Sequence, residues 1–226
     1  MISYNSLNFN NIANKIEQIL QNKIDVTDVF QTIPIAVMHN VVNYVHEELK
    51  PVNKFVSVPC PKCEKYHLIP MESTYNRNII FRVGNVLLKI KINISRLICE
   101  NCGSTHAVLP DFCVPFKQYS NQAILSIVRE ASLTSTEKAA NKLNIEPKQV
   151  RRFVNIVEAN KNSIVLLYHT YINEFNFNIE SNSKLYVLIR ALPNNIAKLY
   201  FKQFKSIFLY VHNKRKIYIN YQKLLI

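Results

Sequence analysis

Cys60-Pro-Lys-Cys63 and Cys99-Glu-Asn-Cys102, with 35 residues between Cys63 and Cys99, decide how this chain is read. Each C-x-x-C turn presents two thiolates, and two such turns close a tetrahedral cage around zinc with Zn–S bonds of ~2.3 Å. A four-thiolate cage has no open coordination position, so the expected zinc is structural and activates no water. The competing readings are two redox pairs or unrelated core thiols. His67 and His106 each follow a knuckle by four residues. Either is an alternative ligand, or simply a strand residue beside the site. Cys113 reads as a small buried hydrophobe.

The interval between the knuckles has strand character. Ile79–Val83 and Val86–Ile94 are rich in β-branched residues, and Gly84-Asn85 makes the turn between them. Alternation along Lys89–Ile94 predicts one buried and one wet face. Arg96-Leu-Ile-Cys99 then delivers the second knuckle. Residues 55–119 are therefore expected to form a zinc ribbon built on this hairpin. Lys62, Lys65 and Arg96 lie close enough to offset the formal −2 of a zinc tetrathiolate, or to face phosphate.

Residues 120–160 turn helical. Ile124, Ile127, Val128 and Ala131 mark a first helix. Thr134-Ser-Thr-Glu137 matches a capping box, opening a second helix with Ala139, Ala140 and Leu143. Asn144 suits a left-handed turn, and Pro147 opens a third helix with Val150, Phe153, Val154 and Val157 inside. That leaves Lys148, Gln149, Arg151, Arg152 and Asn155 outside. These types read base edges and clamp phosphates, so a DNA-reading helix-turn-helix is expected; the plain alternative is a solvated charged face.

The run Arg96-x-x-Cys99-x-x-Cys102-x-x-x-His106-Ala-x-Leu-Pro110, followed by Pro115-Phe116 and Tyr119-Ser120, resembles an uncharacterised zinc-ribbon family of Firmicutes bacteria. Its members carry a helix-turn-helix after the ribbon and are similar to N-terminal parts of insertion-sequence transposases. The resemblance covers roughly residues 55–155. It implies DNA recognition for a mobile element or a regulator, and special roles for Arg96 and His106. It supplies no reaction.

Residues 10–50 (within a segment 1–54) read as helical: Ile12, Ile16, Ile19 and Leu20 fall at helical spacing, and a second stretch runs from Pro34 to Leu49. Residues 161–226 begin with a helix whose stripe is Ile164, Leu167, Tyr168, Tyr171, Ile172 and Phe175, then become a basic α/β segment of uncertain pattern. The fold class is thus α+β, in four units.

The net charge of +13 is uneven. Ser181–Ile226 holds nine Lys/Arg and no carboxylate side chain, which leaves 19 basic and 15 acidic residues before it, or +4. Such a surplus suits an anionic partner. Lys214, Arg215 and Lys216 are the expected phosphate clamp, and most aromatics around them are expected to be core. No signal peptide and no membrane-length apolar run stand out, so a cytoplasmic location is expected. The expected partner is double-stranded DNA and no membrane; a homodimer is compatible with this.

Enzyme chemistry finds little support. Two glycines cannot build a phosphate-binding loop, and only three aspartates, Asp25, Asp28 and Asp111, are present. After the helix-turn-helix run, which ends at Phe153, only Glu158, Glu174 and Glu180 remain, too few and too close together for a two-metal nuclease domain. The expectation is a non-catalytic, zinc-stabilised DNA-binding protein. An RNA-binding or protein-adaptor ribbon is the alternative, and a truncated transposase a remote one.

Overall fold

The computed structural model describes residues 24–29, 40–43, 45, 59–175, 178, 184–193, 195–204 and 207–210. It is a mixed α+β structure with two small antiparallel sheets followed by helices.

The first sheet holds β1 (Ile24–Val29), β3 (Tyr75–Val83) and β4 (Val86–Ile94) in the order β1-β4-β3. β3 and β4 form the expected hairpin, with Val83 opposite Val86 and Gly84 at φ +61° in the turn. Period-two alternation holds along β4: Leu88, Ile90, Ile92 and Ile94 are buried, while Lys89, Lys91 and Asn93 are not. The buried row packs with Ile79, Phe81, Phe112 and Cys113, and Val42 and Val45 from the helical residues near 40–45 join it.

β1 corrects the all-helical reading of residues 10–50. Ile24–Val29 is extended and pairs with β4, Ile24 facing Ile92 and Val29 facing Leu88. Without β1, the far edge of β4 would expose unpaired backbone groups beside a fully apolar face. That pairing partner lies more than sixty residues away, so no local pattern announces it. Residues 12–20 lie outside the described residues.

The second sheet is shorter: β2 (Leu68–Pro70), β5 (Arg96–Cys99) and β6 (Thr105–Ala107) in the order β2-β5-β6. The long hairpin is thus not the ribbon's own hairpin. It forms a separate sheet, and the chain crosses from β4 to β5 through Ser95 alone. The Ser95 carbonyl accepts from Val108 N–H at 2.9 Å.

Three helices follow: α1 (Asn121–Leu133), α2 (Thr136–Leu143) and α3 (Pro147–Ala159). Ser120 caps α1, its Oγ accepting from Ala123 N–H at 3.1 Å. The cap of α2 is Ser135, which accepts from Lys138 N–H, so the capping box expected from Thr134 does not form. Thr134 instead closes α1: its backbone N–H and its hydroxyl both donate to the Glu130 carbonyl. With only two residues between the helices, each has one cap to serve. Asn144 takes the left-handed conformation at φ 51°, ψ 47°, and Pro147 stands in the first turn of α3. Ala139, Ala140, Val150, Phe153 and Val157 are fully buried against α1 and its neighbours.

α4 (Lys161–Thr170), a short 3-10 turn (Ile172–Glu174), α5 (Leu185–Ala191) and α6 (Ile196–Phe204) complete the larger core. The stripe expected along 164–175 stops early: Ile164, Leu167 and Tyr168 are buried, but Ile172 is exposed, because the α-helix ends at Thr170. Within residues 184–204, read as part of an α/β segment, Leu185–Ala191 and Ile196–Phe204 are helices. Tyr200 and Phe208 are core, as expected for the aromatics.

Candidate metal centre

The four knuckle thiols meet at one point. Cys60, Cys63, Cys99 and Cys102 place their Sγ atoms within 4.8 Å of one another, with Cys60–Cys102 at 3.7 Å and Cys63–Cys99 at 3.6 Å. A disulfide needs ~2.0 Å, and all five cysteines are free thiols. The edge of a tetrahedron with ~2.3 Å metal–sulfur bonds is ~3.8 Å. The sulfurs therefore stand at tetrathiolate spacing, and the two knuckles converge on one point rather than standing apart. A metal site of four cysteines fits; the thiolate donor set and tetrahedral spacing suit zinc.

Both knuckles use the same backbone plan. Cys60 N–H donates to Lys65 O at 2.8 Å, and Cys99 N–H donates to Ser104 O at 2.9 Å. Glu64 N–H returns to Cys60 O, and Gly103 N–H returns to Cys99 O, both at 2.8 Å. The fifth residue of each turn is left-handed: Glu64 at φ 62° and Gly103 at φ 66°. These folded-back turns aim N–H groups at the sulfurs, as Lys62 N–H does at Cys60 Sγ (3.4 Å).

The thiols differ in acidity. Backbone donation from Lys65 lowers Cys63. Donation from the Ser104 hydroxyl and backbone brings Cys102 down to about 6. Burial pushes Cys99 up to about 11. Cys113 stands apart, buried in the hairpin core as expected, and burial raises its thiol to about 12.

His67 is exposed, whereas His106 Nε2 lies 3.4 Å from Cys60 Sγ. His106 is thus the histidine at the cage, as a hydrogen-bonding neighbour to a thiol rather than one of the four clustered ligands. Arg96 donates to Thr105 Oγ1 at 2.9 Å across the β5–β6 pair. Among the described residues the core under the cage is Cys60, Leu68, Leu97, Cys99 and Val108, with partial cover from Cys63 and Cys102. So little apolar surface cannot hold two turns and three short strands, and metal binding there would be folding energy.

The predicted helical face lies on α3. Lys148, Arg151, Arg152 and Asn155 are exposed and Gln149 is half-buried. Arg151 pairs with Glu137 of α2 at 3.1 Å, both side chains being more than half exposed. Lys214, Arg215 and Lys216 lie outside the described residues.

Two features escaped sequence reasoning. Arg77 Nη2 donates to Val114 O at 2.7 Å and Lys117 O at 2.6 Å, fastening the 114–117 loop to β3. Next to it, Ile80 N–H donates to Gln118 O and Ser120 N–H donates to Ile80 O, so residues 118–120 extend the hairpin sheet like a further strand. Arg82 meanwhile donates to Ser126 O and to Glu130, which also takes Lys142 at 2.9 Å. These arginines look like ordinary strand polar residues in sequence; only the fold shows Arg77 tying the sheet to a loop and Arg82 tying it to α1.

Residues 59–152 match the model of a domain of unknown function (DUF6431), a span that takes in both knuckles and runs into α3. No curated protein and no solved structure matches the chain.

Proposed function

We propose that this is a zinc-stabilised, non-catalytic protein that reads duplex DNA with α3. The observation that carries the reading is the division of α3 into two faces. Val150, Phe153 and Val157 are fully buried, while Lys148, Arg151, Arg152 and Asn155 stand on the open side. The left-handed Asn144 makes a short turn between α2 and α3, as a helix that lies in the major groove would need. Arg is suited to guanine and Asn or Gln to adenine there. The Glu137–Arg151 pair is exposed, of little net value, and easily exchanged for a phosphate.

The four-thiolate cage is a support for this face and has no position for substrate. A role with a mobile element or in transcription regulation follows from the resemblance of the ribbon-and-helix run to transposase N-termini. Among the described residues no helix is long and apolar enough to cross a membrane.

Electrophoretic shifts at fixed, stated salt test the reading, with duplex DNA, duplex RNA and no competitor as arms. Binding-site selection from random duplexes should return a defined sequence. Retention of RNA in preference to DNA, or no retention of either, sinks the reading and leaves an RNA-binding or adaptor ribbon.

A further inference from the structure

A cleft of about 710 Å³ opens between β3, the β5–β6 pair and the 114–118 loop. Its wall includes Arg77, Arg96 and Lys117 with Asn76 and Asn78, and among the described residues no carboxylate side chain lines it. A second hollow, about 350 Å³, adjoins it and adds Gln149 and Arg152 of α3, again with no carboxylate among the described residues. Four cations along one path contrast with the weak +4 of the first 180 residues. Phe116 borders both hollows. It is 74% exposed and held at φ 60°, a backbone region uncommon for an aromatic residue. Its loop is fixed beforehand by the Arg77 guanidinium. Tyr210 lies 6.3 Å from it, ring to ring.

We propose that this path binds an unpaired DNA strand running on from a duplex, with one base stacked on Phe116. The proposal rests on the duplex reading, which supplies the α3 end of the path. A concave, basic channel with an exposed ring suits a single strand, whose bases are free to stack and whose phosphates meet the cations. A duplex keeps its bases inside and presents a convex outer surface, which suits the open face of α3 instead. Arg152 stands where the two surfaces meet.

Fluorescence anisotropy at fixed salt tests this on the full chain, with a blunt duplex and the same duplex carrying a single-stranded DNA extension. The extension tightens binding about tenfold, the scale of one base on one ring. Phe116→Asn, which tolerates a left-handed backbone, removes that gain and leaves blunt-duplex affinity unchanged. Phe116→Tyr keeps it. Zinc content and Tm serve as fold controls. If Phe116→Asn fails to fold, Lys117→Gln takes its place and lowers the salt dependence of the extension's gain. A fluorescent adenine analogue in the extension is quenched by the wild type and not by Phe116→Asn. The proposal is overturned if the extension adds nothing, if Phe116→Asn keeps the gain, or if an RNA extension is preferred. If the blunt duplex is not bound but a free DNA strand is, through Phe116, the duplex reading fails and the channel stands. If no DNA is bound, both fail.

Discussion

Glu64 stands in the first knuckle where Gly103 stands in the second. Both are left-handed, at φ 62° and 66°, and both return their N–H to the carbonyl of the knuckle's leading cysteine. Glycine takes that conformation freely, while a residue with a Cβ is strained there. Glu64→Gly should therefore raise stability by about 0.5–1 kcal/mol, and Gly103→Ala should lower it by a similar amount. The added methyl at Gly103 meets no atom within 4 Å, so backbone strain alone is at issue. Urea midpoints of the zinc-loaded protein measure both. Equal changes of the same sign would show that the two turns are not equivalent.

Metal removal should act locally. A strong chelator should release one zinc per chain and unfold the β2-β5-β6 sheet, whose core is smallest. Amide hydrogen exchange should rise at Leu97 and Val108 and much less at Ile90 or Phe153, which belong to larger clusters. Cys60→Ser should lose zinc, and Cys113→Ser should retain it. Zinc content by elemental analysis decides.

Glu130 couples the hairpin to two helices. Lys142 and then Arg82 hold its carboxyl below the usual range. A folded pKa below the unfolded ~4.3 means stability that is present above that value. It disappears as pH falls through the folded pKa. Glu130→Gln should cost about 1 kcal/mol near pH 7, since the site is only partly exposed. The difference from wild type should shrink as pH falls below the unfolded value and vanish below the lowered folded pKa. Protonation of the thiolates affects both proteins alike, so the difference between their urea midpoints isolates the carboxylate.

On α3 the side chains should divide their work. Arg152→Ala should cost about 1–3 kcal/mol on a selected duplex and blur preference at one base position. Lys148→Ala, and Lys214→Ala in the basic tail, should weaken all duplexes alike and reduce the salt slope by about one. Equal losses on selected and random duplexes for every variant would remove the division.

How much could be read in advance follows from how local each signal is. The cysteine spacing encodes its chemistry within four residues, and the cage forms as read. Gly84-Asn85, Asn144 and Pro147 are punctuation that acts within one turn, and each stands where expected. Thr134 misleads because two caps lie side by side and the choice between them depends on α1 reaching Leu133. β1 misleads because its pairing energy comes from β4, far along the chain. Glu64 carries no warning of its left-handed turn; comparison with Gly103 at the matching knuckle position was the one available hint. Spacing put both His67 and His106 beside the cage, and only the fold shows that His106 reaches Cys60; the basic channel joins separate segments, so composition could not reveal it.

The pairing of residues 118–120 with Ile80, clamped by Arg77, ties the hairpin directly to the start of α1. Lengthening the chain between Val114 and Ser120 by even one residue would throw the β3 pairing out of step, whereas the Gly84-Asn85 tip should accept an insert. The helices are thus not a portable cassette: transplanted alone, α1–α3 would leave behind the strand that sets their angle. If α3 reads duplex DNA as proposed, any bend needed for a good fit falls to the DNA.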